Sequence, residues 1–144
     1  MIPPECTRES TDSNIKVTEP RSTSAVFVNP GRDAYLVVRF DGCVIKEQVA
    51  CDFIVEKVGV GRLAVELKGC DVAHATAQIE QALLFLKKAG MLDLPVGGLV
   101  VCSRYPSVDT TVQRMKQKLA KTFRAPLTVK TDGRDLDLAT LIRL

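Results

Sequence analysis

The sequence contains one histidine, no tryptophan, two tyrosines and five phenylalanines among 144 residues. A single histidine, His74, gives little support to a histidine-rich metal site or to a serine–histidine–aspartate triad. The shortage of aromatic residues argues against nucleic-acid binding by base stacking. No apolar run approaches the roughly 18 residues that span a bilayer, and no N-terminal segment has the features of a secretory signal. We therefore expect a soluble, cytoplasmic protein that does not enter a membrane.

Cysteines are odd in number and never form the close pairs typical of structural zinc sites. The five lie at positions 6, 43, 51, 70 and 102. Without a secretory signal, this pattern predicts unpaired thiols in a reducing compartment. A zinc site built from the last four would need four sulfurs to converge in space, and the spacing does not predict that.

Charge and hydrophobicity are those of an ordinary globular domain. Net charge is +3 and hydrophobic residues make up 46% of the chain, so wholesale disorder is not expected. Residues 1–23 are rich in proline, serine, threonine and charge without an apolar period, which predicts a flexible N-terminal arm. Residues 24–144 are long enough for a single domain with its own core.

The order of apolar and alternating runs predicts an α/β domain with a mixed central β-sheet flanked by helices. Strand-like runs cover residues 35–40, 50–56, 62–68, 98–102 and 127–129. The dipeptide Asp41-Gly42 predicts a two-residue hairpin after the first run. One helix begins with Asp71 as its N-cap and another begins near Asp109, each with an apolar stripe at helical spacing. Residues from Asp135 onward fit a short helix or a strand.

Three polar residues are predicted to share one face of an otherwise apolar hairpin. If the second and third strand-like runs turn around Gly59, Asp52 lies opposite Glu66 or one step away. Glu66 and Lys68 then point to the same side. Two opposed carboxylates repel each other, and a bound divalent cation such as Mg²⁺ removes that conflict. With Lys68 placed to orient a water or stabilise a phosphate oxygen, the combination suits phosphodiester hydrolysis.

The string formed by Asp52 and Glu66-Leu67-Lys68, followed directly by a capped helix, resembles the D…(D/E)-x-K signature of the PD-(D/E)XK nuclease superfamily. In that family the acidic residue and the E-x-K motif lie on adjacent strands of a hairpin that precedes a helix. The resemblance covers residues 35–105 and implies a restriction-endonuclease-like core, in which the hairpin is followed by helix, strand, helix and strand. Size and layout are similar to the small Holliday-junction resolvases.

The resemblance also implies a role for each matching position. Asp52 and Glu66 correspond to the metal-binding carboxylates, with the backbone carbonyl of Leu67 as a third oxygen ligand. Lys68 corresponds to the catalytic lysine, and Gln78 corresponds to a glutamine on the following helix that faces the site. The implied cofactor is Mg²⁺ or Mn²⁺. A homodimer is the implied assembly, because small members often dimerise to reach both strands of a duplex.

The sequence departs from the family's pattern in two places. Cys51 stands before the aspartate, where the signature has proline. The additional acid that many members carry on an N-terminal helix has no clear equivalent, and Asp41 and Glu47 match it only loosely. The number of metal ions is therefore left open.

A basic stripe is predicted on the second helix. Arg114, Lys118 and Lys121 recur at helical spacing, and residues 110–131 contain no acid. Such a stripe can bind a nucleic-acid backbone, although a charged stripe is more often a solvated face. We favour contact with phosphates.

These patterns predict a divalent-metal-dependent nuclease, with DNA favoured over RNA as its substrate. Two alternatives remain open. A nuclease-like domain without catalysis could act as a nucleic-acid- or protein-binding module, but that hypothesis expects a broken signature. An unrelated α/β interaction protein could carry the motif by chance.

Overall fold

The computed structural model describes residues 2–20, 23–67, 71–103 and 110–144. These ranges contain the strands β1 (Thr7–Ser10), β2 (Asn14–Thr18), β3 (Ser24–Val28), β4 (Tyr35–Arg39), β5 (Phe53–Lys57), β6 (Gly61–Glu66), β7 (Val96–Val101) and β8 (Leu127–Lys130). The helices are α1 (Val72–Lys88), α2 (Thr110–Phe123) and α3 (Leu138–Leu141), and a short 3-10 helix (Pro4–Cys6) precedes β1. None of the helices within these ranges is long and apolar enough to cross a membrane.

Six of these strands form one mixed sheet in the order β1-β4-β5-β6-β7-β8. Neighbours from β1 to β6 are antiparallel, whereas β6, β7 and β8 run parallel. Parallel neighbours need crossover connections, and α1 and α2 lie in those connections. β2 and β3 form a separate antiparallel pair. The prediction of an α/β protein with a mixed sheet flanked by helices is confirmed.

The β5–β6 hairpin has one of the two registers expected from its sequence. Phe53 pairs with Val65, so the next position outward sets Asp52 opposite Glu66. The chain turns at Gly59, whose φ of 78° is a conformation that glycine adopts without strain. Residues directly opposite each other in an antiparallel pair point to the same face. Asp52 and Glu66 therefore project from the same side of the sheet.

Both faces of the main sheet are covered, as strongly apolar central strands require. Ile54, Ala64 and Val100 pack with residues of α1 and α2 in one core, which we call the helix-side core. The alternate residues, such as Val55 and Leu63, pack with residues of β2, β3 and α3 in a second core, which we call the hairpin-side core. The sheet is the middle of three layers.

Helix α1 follows the predicted pattern closely. The Asp71 side chain caps it, because Oδ1 accepts a hydrogen bond from the His74 backbone N–H at 3.0 Å. Its apolar stripe is buried in the helix-side core and consists of Val72, Ala75, Ile79, Leu83 and Leu86. The predicted cap and the predicted buried face of this helix are confirmed.

Two adjacent glycines in β7 let the outer layers approach the sheet closely. A Cβ atom on Gly97 would lie 2.5 Å from the carbonyl oxygen of Leu141 in α3. A Cβ atom on Gly98 would lie 2.5 Å from Cγ2 of Ile79 in α1. Carbon atoms in good contact are about 3.5 to 4.0 Å apart. A side chain at either position would therefore push one layer away from the sheet.

The N-terminal segment differs from the flexible arm predicted for residues 1–23. β1 forms the outer edge of the main sheet against β4, and Ile15 and Val17 of β2 are buried in the hairpin-side core. Only alternate residues of such strands face a core, so the segment needs few apolar side chains. Its composition therefore stays polar although it is part of the fold.

A disulfide between Cys6 and Cys43 contradicts the expectation that all five cysteines are unpaired thiols. It ties the 3-10 helix before β1 to the loop after β4. Cys51 and Cys102 are buried thiols, and Cys70 lies outside the described residues. The bonded cysteines are 37 residues apart and meet only because β1 joins the sheet beside β4, which no local spacing indicates.

Thiol titration under denaturing conditions tests this pairing. The unreduced protein should show three reactive thiols among its five cysteines, because Cys6 and Cys43 are joined. After prior reduction, all five cysteines should react. Cys6→Ser should add one reactive thiol to the unreduced count by releasing Cys43, whereas Cys51→Ser, as a matched control, should subtract one. Full reactivity of the unreduced wild type would show that the disulfide does not form.

The loop after β4 is not the hairpin that Asp41-Gly42 predicts. The backbone N–H groups of residues 43–45 all donate to the carbonyl oxygen of Phe40, so the chain curls into a compact turn. β4 instead pairs with β5. The longer-range pairing of two apolar strands outweighs the local turn signal.

The segment after β8 joins the smaller sheet. The N–H of Val26 donates to the Gly133 carbonyl at 2.7 Å, and the N–H of Val28 donates to the Leu136 carbonyl at 2.8 Å. The Leu136 N–H donates back to Val26 at 2.9 Å. These bonds cover the outer edge of β3 and lead the chain into α3. A strand-like stretch and a short helix thus both occur after Asp135.

Candidate functional site

The two predicted carboxylates lie at neighbouring ends of the β5–β6 hairpin. Asp52 immediately precedes β5, and Glu66 is the last residue of β6. Their face is that of Ile54 and Ala64, two residues further along each strand, which belong to the helix-side core. Asp52 is 0% exposed and Glu66 is 1% exposed. The structure therefore places both carboxylates in the interior, on the α1 side of the sheet.

Each carboxylate is held by a backbone N–H group of the opposite strand. Oε1 of Glu66 accepts a hydrogen bond from the Asp52 N–H at 3.1 Å. Oδ2 of Asp52 accepts one from the Leu67 N–H at 2.8 Å. Hydrogen bonds to a charged acceptor are roughly twice as strong as those between neutral groups. This exchange extends the cross-strand pairing beyond the last residues of the hairpin and fixes the orientation of both carboxylates.

The carbonyl of Leu67, predicted as a metal ligand, is held from the other side of the sheet. Its oxygen accepts a hydrogen bond from Oγ1 of Thr23 at 3.0 Å, and the same hydroxyl lies 3.4 Å from the Val101 carbonyl oxygen. Thr23 therefore bridges the ends of β6 and β7. A carbonyl oxygen has two lone pairs, so the Thr23 bond does not by itself exclude a metal ion at the same oxygen.

Gln78 braces the segment that enters the site. It lies on α1 and is buried, and its Nε2 donates to the Ala50 carbonyl at 3.0 Å. Ala50 is two residues before Asp52, so Gln78 holds the backbone that leads to the carboxylate. His74, one turn earlier on α1, is exposed. Gln78 is thus positioned to support the site through the backbone.

Cys51 is the neighbour of the carboxylate pair that the sequence did not single out as part of the site. Burial raises the pKa of its thiol well above the ordinary value, and the charges of Glu66 and Asp52 raise it further. The thiol therefore stays protonated at neutral pH. The spacing of the cysteines gives no signal of this buried environment beside the carboxylates.

Three further predicted positions are Lys68, Glu47 and Asp41. Lys68, the predicted catalytic lysine, lies outside the described residues. Of the loose candidates for an additional acid, Glu47 is exposed, and Asp41 lies beside Cys51 through a backbone bond of 3.0 Å. The backbone of Asp41 therefore approaches the site from the end of β4.

The donor set fits a hard divalent cation only if backbone and solvent oxygens complete it. Among the described side chains, no group of three or more histidine, cysteine, aspartate or glutamate residues is arranged to hold a metal ion. Mg²⁺ usually keeps several waters and takes one or two protein carboxylates. A carboxylate offers about four acceptor positions, so one backbone N–H bond to each of Asp52 and Glu66 does not by itself exclude a shared Mg²⁺ or Mn²⁺ ion.

The predicted basic stripe is on the surface of α2. Arg114, Lys118 and Lys121 are all exposed. Nζ of Lys118 lies 2.7 Å from Oε2 of Glu80 on α1, so one charge of the stripe has an acidic partner on another helix. Helix α2 leads from the C-terminal end of β7 back to the start of β8. Arg114 is therefore the member of the stripe nearest to the C-terminal ends of β6 and β7.

The assembled site consists of Asp52, Glu66 and the Leu67 carbonyl, braced by Thr23 and Gln78. Within the described ranges, Asp52 and Glu66 are the two carboxylates that are fully buried. No family model, curated protein or solved structure matches the chain, so its function is inferred from this geometry.

Proposed function

We propose that the protein is a divalent-metal-dependent nuclease of the PD-(D/E)XK type with a restriction-endonuclease-like core. The observation that carries the proposal is the pair of buried carboxylates, Asp52 and Glu66, set opposite each other on the β5–β6 hairpin. Burying two like charges side by side is costly, and a cation shared between them offsets that cost. The hairpin is followed by α1 and by the parallel strand β7, which agrees with the layout of that superfamily.

Mg²⁺ or Mn²⁺ is the proposed cofactor, because both ions prefer oxygen ligands such as the two carboxylates. Asp52 and Glu66 would hold the ion together with the carbonyl oxygen of Leu67. A bound ion of this kind makes a water more acidic and stabilises negative charge on a phosphate oxygen. Thr23 keeps the Leu67 carbonyl in place through its 3.0 Å hydrogen bond.

Two further side chains complete the proposed catalytic group. Lys68, two residues after Glu66, would orient the attacking water or stabilise charge on the phosphate. Gln78 would keep the backbone before Asp52 in place through its bond to the Ala50 carbonyl. Lys68 acts on the substrate in this scheme, whereas Gln78 acts through another residue.

DNA is the proposed substrate, and RNA is the less favoured one. Arg114, Lys118 and Lys121 would contact phosphates of the backbone, with Lys118 exchanging Glu80 for a phosphate. Each such contact releases counterions, so binding should weaken as salt rises. A homodimer is the proposed assembly, because two copies can address both strands of a duplex.

The proposed location is the cytoplasm, and the Cys6–Cys43 disulfide stands against it. Structural disulfides are rare in the reducing cytosol. The thiol count of protein taken from its native cells, with thiols blocked at lysis, decides between a reduced cytosolic form and a disulfide-bonded form from an oxidising compartment.

A catalytically silent nuclease-like module that binds nucleic acid or protein is the second candidate. The complete burial of Asp52 and Glu66 and their bonds to backbone N–H groups favour it. Carboxylates that only hold the open ends of the hairpin together need no access to a substrate. Catalysis, in contrast, requires the structure around the C-terminal end of β6, beside Glu66, to open so that a phosphate can reach the pair.

Cleavage assays separate these two candidates. Wild-type protein is incubated with plasmid, linear and branched DNA and with RNA, in Mg²⁺, in Mn²⁺ and in chelator. We expect cleavage of at least one DNA substrate that depends on the metal. An inert wild type on every substrate would favour the silent module, and equal cleavage in chelator would remove the metal from the proposal.

The site assignment is tested by Glu66→Ala beside a matched control. Glu56→Gln is the control because it neutralises a carboxylate near the opposite end of the same hairpin, where Glu56 bonds to Arg62 at 2.8 Å. Glu66→Ala should lose cleavage, whereas Glu56→Gln should keep it, with folding of both checked by circular dichroism. Equal cleavage by wild type and Glu66→Ala would overturn the assignment.

A further inference from the structure

An open groove lies between the edge of the main sheet and β2. It has a volume of about 590 Å³, within the range of about 300 to 1,000 Å³ typical of small-molecule sites. Its walls come from β1, β2 and β4. Its floor contains the buried side chains of Val17, Val37 and Phe53. The groove therefore combines a preformed apolar floor with walls from three different strands.

Three basic residues line the groove, one from each of these strands. They are Arg8 of β1, Lys16 of β2 and Arg39 of β4, and all three are exposed. The acidic residue that lines the groove is Glu5, and Glu19 lies close enough to pair with Arg39 at 2.9 Å. Positive charge exceeds negative charge in this set, so the groove favours an anion.

Both arginines are held in place by contacts that leave most of their donors available. Nη2 of Arg8 donates to the Lys16 carbonyl at 3.1 Å, and Nη1 of Arg39 donates to Glu19. A guanidinium carries five N–H donors in a rigid fork that suits phosphate oxygens. Because each arginine already has a hydrogen-bond partner beside the groove, less side-chain entropy is lost when an anion binds.

The position of Arg39 adds a flat surface to the groove. Its guanidinium carbon lies 5.2 Å from the centroid of the Phe53 ring, within the range of about 6 Å for a cation–π contact. The guanidinium is planar and stacks readily on aromatic rings, and nucleic-acid bases also stack on such planes. The groove thus offers charge for phosphates beside a platform for a planar ring.

We propose that this groove binds a phosphate-bearing ligand of the nucleotide class, with the phosphates at Arg8 and Lys16 and the ring near Arg39. The phosphate chemistry is shared by free nucleotides and by nucleotides within an oligonucleotide. The groove floor includes Val17, Val37 and Phe53 of the hairpin-side core, whereas Asp52 and Glu66 project to the opposite face. The site is therefore separate from the proposed metal centre and does not depend on it.

Calorimetric titration in the presence of chelator tests the proposal without a contribution from a metal. The probes are ADP, inorganic pyrophosphate, adenosine and a short oligothymidylate. ADP and pyrophosphate should bind, and adenosine should not bind measurably. Arg8→Ala and Lys16→Ala should each weaken ADP binding about tenfold, the effect of losing one charge-assisted hydrogen bond.

Two control variants separate the groove from general charge effects and from the basic stripe. Arg143→Ala removes one exposed positive charge near the end of the chain and should leave binding unchanged. Lys121→Ala removes a charge from α2 and should not weaken ADP binding. Lys16→Ala should fold like the wild type, because this exposed side chain on β2 makes no contribution to the core.

The outcomes are decisive in either direction. Oligothymidylate binding without ADP binding, lost in Lys16→Ala, would support the phosphate site and identify its source as a nucleic-acid strand. Absence of binding by ADP, pyrophosphate and oligothymidylate at about 1 mM, the weakest affinity of interest, would overturn the proposal. A loss in Arg143→Ala equal to that in Lys16→Ala, or oligothymidylate binding that depends on Lys121 alone, would also overturn it.

Discussion

Gly97→Ala should lower the free energy of unfolding by about 3 kcal/mol, the upper range for an added methyl group in a packed interior. The new Cβ would lie 2.5 Å from the Leu141 carbonyl oxygen and 3.3 Å from the Ile142 Cα and the Leu63 Cδ1. The first two of these atoms belong to the backbone of the α3 region, which cannot rotate away. The whole segment has to shift, and its buried side chains shift with it.

Gly98→Ala is the matched comparison on the neighbouring residue and should cost about half as much. Its Cβ would lie 2.5 Å from Cγ2 of Ile79 and 3.3 Å from Cδ1 of Leu127, both side-chain atoms. Side chains can adjust with less movement of the backbone. Urea denaturation of both variants measures the difference. A cost at Gly97 no greater than that at Gly98 would show that α3 is not held firmly against the sheet.

Glu66→Gln should abolish cleavage while making the metal-free protein more stable. Loss of a group that stabilises the transition state lowers turnover by about a hundredfold or more. At the same time the amide keeps an oxygen that can accept the Asp52 N–H bond. Removing one of two facing negative charges should add about 1 kcal/mol to the free energy of unfolding. Active sites often show this exchange between stability and activity.

Thermal denaturation with and without Mg²⁺ measures both parts of this prediction. A single bound ion whose free concentration is about a hundred times its dissociation constant adds about 2.7 kcal/mol to the stability of the wild type. Glu66→Gln should show a higher melting temperature in chelator and little or no gain with Mg²⁺. If the pair only holds the open ends of the hairpin together, the substitution should destabilise the protein, because a charged acceptor is replaced by a weaker neutral one.

Glu56→Gln provides the reference for the change from glutamate to glutamine. Glu56 bonds to Arg62, which also bonds to Asp93 at 2.7 Å. Neutralising Glu56 removes an attractive partner, so this variant should be less stable than the wild type at neutral pH. Opposite signs for Glu66→Gln and Glu56→Gln would separate a repulsive pair from an ordinary ion pair.

Local sequence patterns were sufficient for the elements nearest the candidate site. Alternation along β5 and β6 and a glycine turn narrow which residues face each other, so the residues alone placed Asp52 opposite Glu66 or one step away, and the structure shows the direct alignment. The Asp71 cap and the apolar stripe of α1 have the same local character. These features depend on neighbours within a few residues, which a sequence displays directly.

The features that local patterns missed all depend on residues distant in sequence. Thr23 reaches the Leu67 carbonyl across 44 residues, and Gln78 reaches Ala50 across 28. Lys118 finds its acidic partner, Glu80, on another helix. The Cys6–Cys43 bond likewise requires β1 to have joined β4. Each contact is decided by how the layers stack, and a single sequence carries no local mark of it.

The hairpin-side core also constrains how the chain can be built. It combines Ile15 and Phe27 with Leu138 and Leu141, which are synthesised much later. Because synthesis runs from the N-terminus, β2 and β3 leave the ribosome long before the segment that seals them. A nascent chain that stops short of α3 has the residues for a helix-side core but leaves part of the opposite face of its sheet, which β2 and β3 alone do not cover, open to aggregation.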